Sequence, residues 1–152
     1  MEKADVADIY LLCSKNGLYY QYCPPFVTEQ SILDDMKALP PNKEICDKYY
    51  VGYYKEEELI AVMDFIMAYA DEKTAFIGFF MTAASIQNAG IGSSIIDDLC
   101  RYLADIRLSS IRLGWVRGNP QAEHFGHKNN FKETGITYDT DNYTVVVAQR
   151  VL

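Results

Sequence analysis

The sequence is poor in histidine and in positive charge. Its 152 residues include 2 His and 14 Lys or Arg against 21 Asp or Glu, which gives a formal net charge of −7. Nucleic-acid binding depends mainly on Lys and Arg clusters that contact the phosphate backbone, and this chain has no such cluster. The composition therefore argues against a nucleic-acid partner and is compatible with a cationic substrate.

Signals for metal binding and disulfide bonding are also missing. No Cys-x-x-Cys pair occurs, so neither a zinc site nor a disulfide framework is indicated. We expect reduced thiols in the core at Cys13, Cys23, Cys46 and Cys100. His124 and His127 have a spacing that metal ligands can share on a helix, but no third ligand accompanies them. We expect no bound metal.

Targeting and membrane segments are not apparent either. No stretch approaches the ~18 uninterrupted apolar residues of a membrane span. The charged residues among the first ten positions exclude the apolar core of a signal peptide. We therefore expect a soluble, cytoplasmic protein without a membrane partner.

One stretch combines a buried strand, a glycine turn and an amphipathic helix. Residues 76–81 form a nearly continuous apolar run, as in a strand buried on both faces. Apolar residues then recur every fourth position from Ile91 to Leu103, on one face of a helix. Gly90 and Gly92 leave the backbone uncovered, so N–H groups can converge on an anion at the helix N-terminus. The stretch predicts a phosphate-binding turn, and the alternative is an ordinary turn.

The glycine spacing differs from two other phosphate-binding patterns. It is not Gly-x-Gly-x-x-Gly, and no second strand-glycine-helix unit accompanies it, which disfavours a dinucleotide-binding fold. The Gly-Lys-Ser/Thr of a nucleoside triphosphate loop is absent. The segment instead resembles the acetyl-CoA pyrophosphate loop of the GNAT superfamily of N-acetyltransferases. That pattern is Arg or Gln, two residues, Gly, one residue, then Gly or Ala, and it is matched by Gln87, Gly90 and Gly92.

The remaining elements follow the order of that superfamily. Helical spacing predicts a first helix at 6–13, closed by Asn16-Gly17 as a left-handed cap, and an aromatic loop follows at 18–26. Thr28 is predicted to cap a second helix, and Asn119-Pro120 to begin a later one. Strands are predicted at 49–55, 59–69, 74–82, 110–117, 131–138 and 143–152.

The predicted fold is a single α/β domain over residues 1–152, with a mixed, mostly antiparallel central sheet flanked by helices in the order ααβββαβαββ. Short polar connectors imply that the first three strands form an antiparallel meander. The helical crossover implies parallel pairing of the third and fourth strands. The superfamily's first strand is short or missing, because residues 1–5 leave almost no room for it. The resulting sheet edge is compatible with a homodimer.

The resemblance extends to a second segment, in which Asn119, Phe125 and Lys128 occupy positions of the superfamily's cofactor site. It implies acetyl-CoA as acetyl donor, with Asn119 and Phe125 flanking the thiol. The backbone groups implied to pair with the pantetheine arm are those of Phe80, Met81 and Thr82, with an N–H near Met81 or Thr82 as oxyanion donor. The pyrophosphate loop comprises Gln87, Asn88, Ala89, Gly90, Ile91, Gly92 and Ser93. Because Ala89 replaces a commonly basic residue, phosphate binding relies on backbone dipoles and on Lys128.

The catalytic groups are less clearly marked. The tyrosine that serves as thiolate acid in the superfamily is replaced by Gly126, and no carboxylate lies between residues 74 and 88, where some members place a base. Asp64 interrupts an apolar strand beside the cofactor strand, and a carboxylate there must be solvated by a cleft or paired. It therefore has either a substrate-amine or base role or a structural one. The other candidates for proton transfer are His127, Tyr19, Tyr20, Tyr22 and Tyr143.

The resemblance implies an acetyl-CoA-dependent N-acetyltransferase. Its acceptor would be a primary amine of an unidentified cationic small molecule or peptide. A catalytically silent acyl-CoA-binding module is the alternative, in which the missing tyrosine and carboxylate are real losses. A purely structural dimerisation domain would leave Gly90 and Gly92 unexplained.

Overall fold

A six-stranded sheet lies at the centre of the computed structural model, which describes all 152 residues. Its strands are β1 (Lys48–Lys55), β2 (Glu58–Ile66), β3 (Thr74–Thr82), β4 (Ser110–Val116), β5 (Lys132–Asp139) and β6 (Thr144–Val151). Their order across the sheet is β1-β2-β3-β4-β6-β5. Only β3 and β4 pair in parallel, and all other neighbours are antiparallel. The predicted meander and the predicted parallel pair are confirmed.

Five α-helices cover the sheet: α1 (Val6–Ser14), α2 (Gly17–Tyr22), α3 (Glu29–Lys37), α4 (Ile91–Asp105) and α5 (Pro120–Lys128). Both predicted N-caps are confirmed, since the side chains of Thr28 and Asn119 accept hydrogen bonds from the first-turn N–H groups of α3 and α5. None of the helices combines the length and the apolar character that a membrane crossing requires.

The sheet separates two hydrophobic clusters. One contains Ile96 and Leu103 of α4 together with Met63 of β2, and the other contains Ile9 of α1 together with Val62 of β2. Neighbouring residues of β2 thus point to opposite clusters, as the alternation of side chains along a strand requires. Because both faces of β2 are covered, a polar side chain in this strand has to find a partner inside the protein.

The structure corrects two predictions for the N-terminal region. Asn16 has a φ of −102°, and Gly17 begins α2, so this pair is not a left-handed cap and residues 17–22 are helical instead of a loop. The Asn16 side chain bonds instead to Leu12, Thr82 and Gln87.

The prediction of four core thiols is also corrected. All four cysteines are free, but Cys46 is exposed and Cys23 is only half-buried, so only two of the four are core thiols.

The superfamily's first strand, which was expected to be short or missing, is absent from the sheet. Residues Lys3–Asp5 form a single 3-10 turn before α1, and β1 forms one edge of the sheet.

Candidate active site

An opening at the C-terminal end of β3 begins at a glycine bulge. Asp64 of β2 lies opposite Phe79, whereas the next residue of β2, Phe65, lies opposite Ile77, so Gly78 has no partner. The parallel pairing of β3 with β4 also ends at Ile77. Because a bulge bends its strand, the C-terminal half of β3 leaves β4 and its backbone groups face an opening in the sheet.

The backbone groups of Phe80 and Thr82 face this opening. The N–H of Ala83 donates to the carbonyl of Ile60 in the direction of β2, at 2.8 Å. Since successive residues of an antiparallel strand direct their backbone groups to alternate sides, Met81 also faces β2, and Phe80 and Thr82 face away from it. The side chain of Met81 is buried in the cluster beneath α1, so of the two residues named for the oxyanion donor it is Thr82 whose N–H faces the opening.

The N-terminus of α4 is free of any side-chain cap. Gly90 is the N-cap residue, in the left-handed region with φ of +80°, and no side chain accepts a hydrogen bond from the first turn. The N–H of Ser94 is the first to bond back, to the carbonyl of Gly90 at 3.1 Å. The first-turn N–H groups without a helical partner are those of Ile91, Gly92 and Ser93. They follow the exposed loop residues Asn88, Ala89 and Gly90, so the turn fits an anion.

Residues predicted for the cofactor site converge here from three elements. A Cβ at Gly92 would lie 3.1 Å from Cε2 of Phe125 and 3.6 Å from Cγ2 of Thr82. The ring centroids of Phe125 and Phe80 are 5.9 Å apart. The end of β3, the first turn of α4 and the middle of α5 therefore form one continuous surface, which adjoins the free backbone groups of β3.

Three further residues predicted for the cofactor site are not among those just described as meeting at this surface. Asn119 is 5% exposed and its Oδ1 accepts a hydrogen bond from the N–H of Ala122 at 3.3 Å. Lys128 is exposed at the last position of α5, one turn beyond Phe125. The side chain of Gln87 is held by Asn16, a residue that sequence patterns did not indicate because it lies 71 positions away.

Asp64 forms a buried ion pair with Lys48. Its Oδ2 lies 3.0 Å from Nζ of Lys48, which also donates to the carbonyl of Ala38 at 2.7 Å. The side chains of Lys48 and Asp64 are 4% and 11% exposed. Burial raises the pKa of Asp64, and the hydrogen bond and charge of Lys48 oppose that rise. The ion pair gives Asp64 a structural role, which is one of the two alternatives that the sequence left open.

The other carboxylate oxygen of Asp64 has no hydrogen-bond partner although it is buried. The carboxylate lies close to the bulge, since a Cβ at Gly78 would be 3.3 Å from Oδ2. Burial and the neighbouring charge of Asp64 raise the pKa of Asp35. Asp64 thus has one unused acceptor oxygen, while its paired oxygen lies beside the bulge.

The position of the missing tyrosine is filled by Trp115. Gly126 is buried, and a Cβ there would lie 2.5 Å from Cζ3 of Trp115. His127 is exposed and packs edge-on against the same indole, with ring centroids 5.4 Å apart. A tyrosine at position 126 would have to displace Trp115, so the glycine is required for packing in this chain.

We expect Gly126→Ala to lower the free energy of unfolding by about 1–3 kcal/mol, the usual cost of overpacking a core. The new Cβ cannot fit beside Trp115 without moving the ring. Urea unfolding measures the change. Gly17→Ala is the matched control, because a Cβ there meets no atom within 4 Å. Equal stability of both variants would show that Trp115 moves at little cost.

The tyrosines named from the sequence lie mainly around α2. The ring of Tyr19 packs edge-on against Phe79 of β3 at 6.0 Å and against Tyr20 at 4.9 Å. Burial raises the pKa values of Tyr19 and Tyr20 above their usual range. A hydrogen bond with Cys23 and burial raise the pKa of Tyr143 to about 12. These phenols keep their protons at neutral pH. Tyr22 is half-buried at the end of α2.

The model of the acetyltransferase (GNAT) family matches residues 16–131, which is more than two thirds of the chain. No curated protein sequence matches the chain significantly.

Solved structures show the likeness of the fold. An acetyltransferase from Thermus thermophilus superposes with a TM-score of 0.80 at 13% identity, covering 100% of this chain and 94% of that one. The ribosomal-protein-S18-alanine N-acetyltransferase from Escherichia coli gives 0.72 at 12%, covering 99% and 90%. The PaiA N-acetyltransferase from Thermoplasma acidophilum, in complex with coenzyme A, gives 0.70 at 12%, covering 99% and 96%.

Proposed function

The chain belongs to the GNAT acetyltransferase family, and from this membership we propose that it acetylates a primary amine of a cationic small molecule or peptide. The observation that carries the proposal is the uncapped first turn of α4 beside the backbone groups of Phe80 and the N–H of Thr82, which face the opening. The turn suits a pyrophosphate, and the strand end suits an extended arm with amide groups. Bound acetyl-CoA would supply the acetyl group as a thioester.

Each part of the site has a distinct task in this proposal. The N–H groups of Ile91, Gly92 and Ser93 bind phosphate oxygens, and Gly92 permits the backbone to approach closely. The N–H of Phe80 or Thr82 donates a hydrogen bond to the thioester carbonyl oxygen as negative charge develops there. Phe80 and Phe125 form an apolar wall, which excludes water from the same region.

The acceptor is proposed to be cationic because of Asp64. The carboxylate lies in an apolar strand, and an ammonium group would supply the donor that its unpartnered oxygen lacks. The net charge of −7 adds a long-range attraction for cations. In this role the Lys48 contact orients the carboxylate, while the other oxygen binds the amine or accepts its proton.

Release of free thiol from acetyl-CoA, measured with a panel of peptides, polyamines and neutral amines, tests the function. Turnover with cationic amines is the expected result. CoA binding without turnover of any amine would support the acyl-CoA-binding module instead, which the replacement of the family's tyrosine by Gly126 favours. Absence of CoA binding would contradict both functions.

Asp64→Asn is expected to reduce kcat/KM for the best amine by at least ~10-fold while CoA affinity stays within a factor of about two, because a neutral amide binds an ammonium weakly. Thiol-release kinetics and calorimetry with CoA measure the two quantities. Asp98→Asn is the matched control, since the Asp98 side chain is 70% exposed on α4. Equal kinetics of the Asp64 variant and the control would remove Asp64 from the site.

A further inference from the structure

Asn16 connects the N-terminal helices to the cofactor loop. Its Oδ1 accepts a hydrogen bond from Nε2 of Gln87 at 2.5 Å. Its Nδ2 donates to the carbonyl of Leu12 at 3.0 Å and to that of Thr82 at 3.4 Å. One amide therefore links the end of α1, the end of β3 and the first residue of the loop at 87–93.

Gln87 extends this network to α5. Its Nε2 also donates to the carbonyl of Thr82 at 3.3 Å, and its Oε1 accepts from Nε2 of Gln121 at 3.5 Å. Asn16 is 8% exposed, so its amide has little access to water that could replace these bonds. Removing the Asn16 side chain would leave Gln87 and Thr82 short of partners at the start of the loop.

The residue after Asn16 begins α2, which carries aromatic residues toward the opening. Tyr19 of α2 packs against Phe79 of β3, one residue before the free backbone groups of Phe80. The position of α2 and the conformation of the loop thus depend on the same side chain.

We propose that Asn16 is a positioning residue that couples α2 to the cofactor loop, so that CoA bound at the loop orders α2. This inference rests on the proposed function, because it requires CoA to bind at residues 87–93. Coupling between sites is reciprocal, so a ligand that orders α2 would in turn tighten the binding of CoA. Neither cofactor contact nor acceptor contact is assigned to Asn16 itself.

Backbone hydrogen exchange with and without CoA tests the coupling. In the wild-type protein we expect CoA to slow exchange both at 87–94 and at 17–22. In Asn16→Ala, CoA should slow exchange at 87–94 alone, with an affinity reduced about 10-fold. Ser14→Ala is the matched control, since Ser14 lies at the end of α1, close to Asn16, and its side chain bonds only to the Leu11 carbonyl. It should behave as wild type.

Gln87→Ala keeps the test decisive if Asn16→Ala fails to fold. It removes the donor to Oδ1 of Asn16 and should abolish the protection of α2 by CoA. Protection of α2 in Asn16→Ala or Gln87→Ala would overturn the inference, as would wild-type protection confined to 87–94. If CoA protects the wild-type loop but not α2, only the coupling fails. If CoA neither binds nor protects the wild-type loop, the proposed function fails as well.

Discussion

Gly92→Val is expected to lower the affinity for CoA at least ~100-fold, a loss of about 2.7 kcal/mol in binding free energy. The Cβ alone would lie 3.1 Å from the Phe125 ring, and the two γ-methyl groups of valine need more room still. Either Phe125 or the first turn of α4 must move. The methyl groups would also stand beside the N–H groups that are proposed to bind phosphate. Titration calorimetry with CoA measures the loss.

The fold of this variant should survive, because Gly92 is only half-buried and the fully buried residues of α4 begin at Ile95. Circular dichroism and thermal unfolding check this. Asp98→Val places the same β-branched side chain on an exposed part of α4 and should bind CoA as wild type does. A folded Gly92→Val protein with unchanged affinity would show that residues 87–93 do not hold the cofactor.

Lys48→Met is expected to lower the free energy of unfolding by about 3–5 kcal/mol, the usual cost of leaving one partner of a buried ion pair alone. The variant keeps the length of the side chain but removes the Nζ group that contacts Asp64 and the Ala38 carbonyl. Because domains of this size are stable by only about 5–15 kcal/mol, the variant should unfold at much lower urea concentration.

The loss of stability in Lys48→Met should depend on pH. Burial already raises the pKa of Asp64, and Lys48 opposes that rise, so the pKa of Asp64 increases further in the variant. A carboxyl whose pKa is higher in the folded than in the unfolded state binds more protons when folded, and stability then increases as the pH falls. The destabilisation by Lys48→Met should therefore be smaller at about pH 5 than at about pH 8.

Replacing both Lys48 and Asp64 tests whether the unpaired charge causes the loss of stability. Lys48→Met combined with Asp64→Leu leaves no buried charge, and the double variant should recover most of the lost stability. Urea unfolding of the wild type, both single variants and the double variant completes the cycle. A cost below ~1 kcal/mol for Lys48→Met would show that Asp64 is neutral or solvated in the fold, and that the ion pair contributes little.

The sequence by itself was sufficient for the elements that depend on neighbouring residues. The apolar run before Gly90 and the fourfold spacing from Ile91 to Leu103 predicted β3 and α4, because side-chain periodicity is a local property. Thr28 and Asn119 could be predicted as caps because a cap is a local feature: each side chain bonds to a residue only three positions later. The parallel pairing of β3 with β4 followed from the crossover helix, and the spacing of Gln87, Gly90 and Gly92 between a strand and a helix indicated the family.

Only the tertiary structure decided how the polar residues of the site are used. The sequence placed Asp64 in a buried strand but did not provide its partner, which lies 16 positions away on another strand. The partner of Gln87 lies 71 positions away, at a junction that local patterns assigned to a left-handed cap. Gly126 looked like a lost catalytic group, yet the indole of Trp115 fills its space. Periodicity and spacing record which face a residue lies on, whereas these contacts depend on how separate elements pack together, and packing is a property of the folded chain.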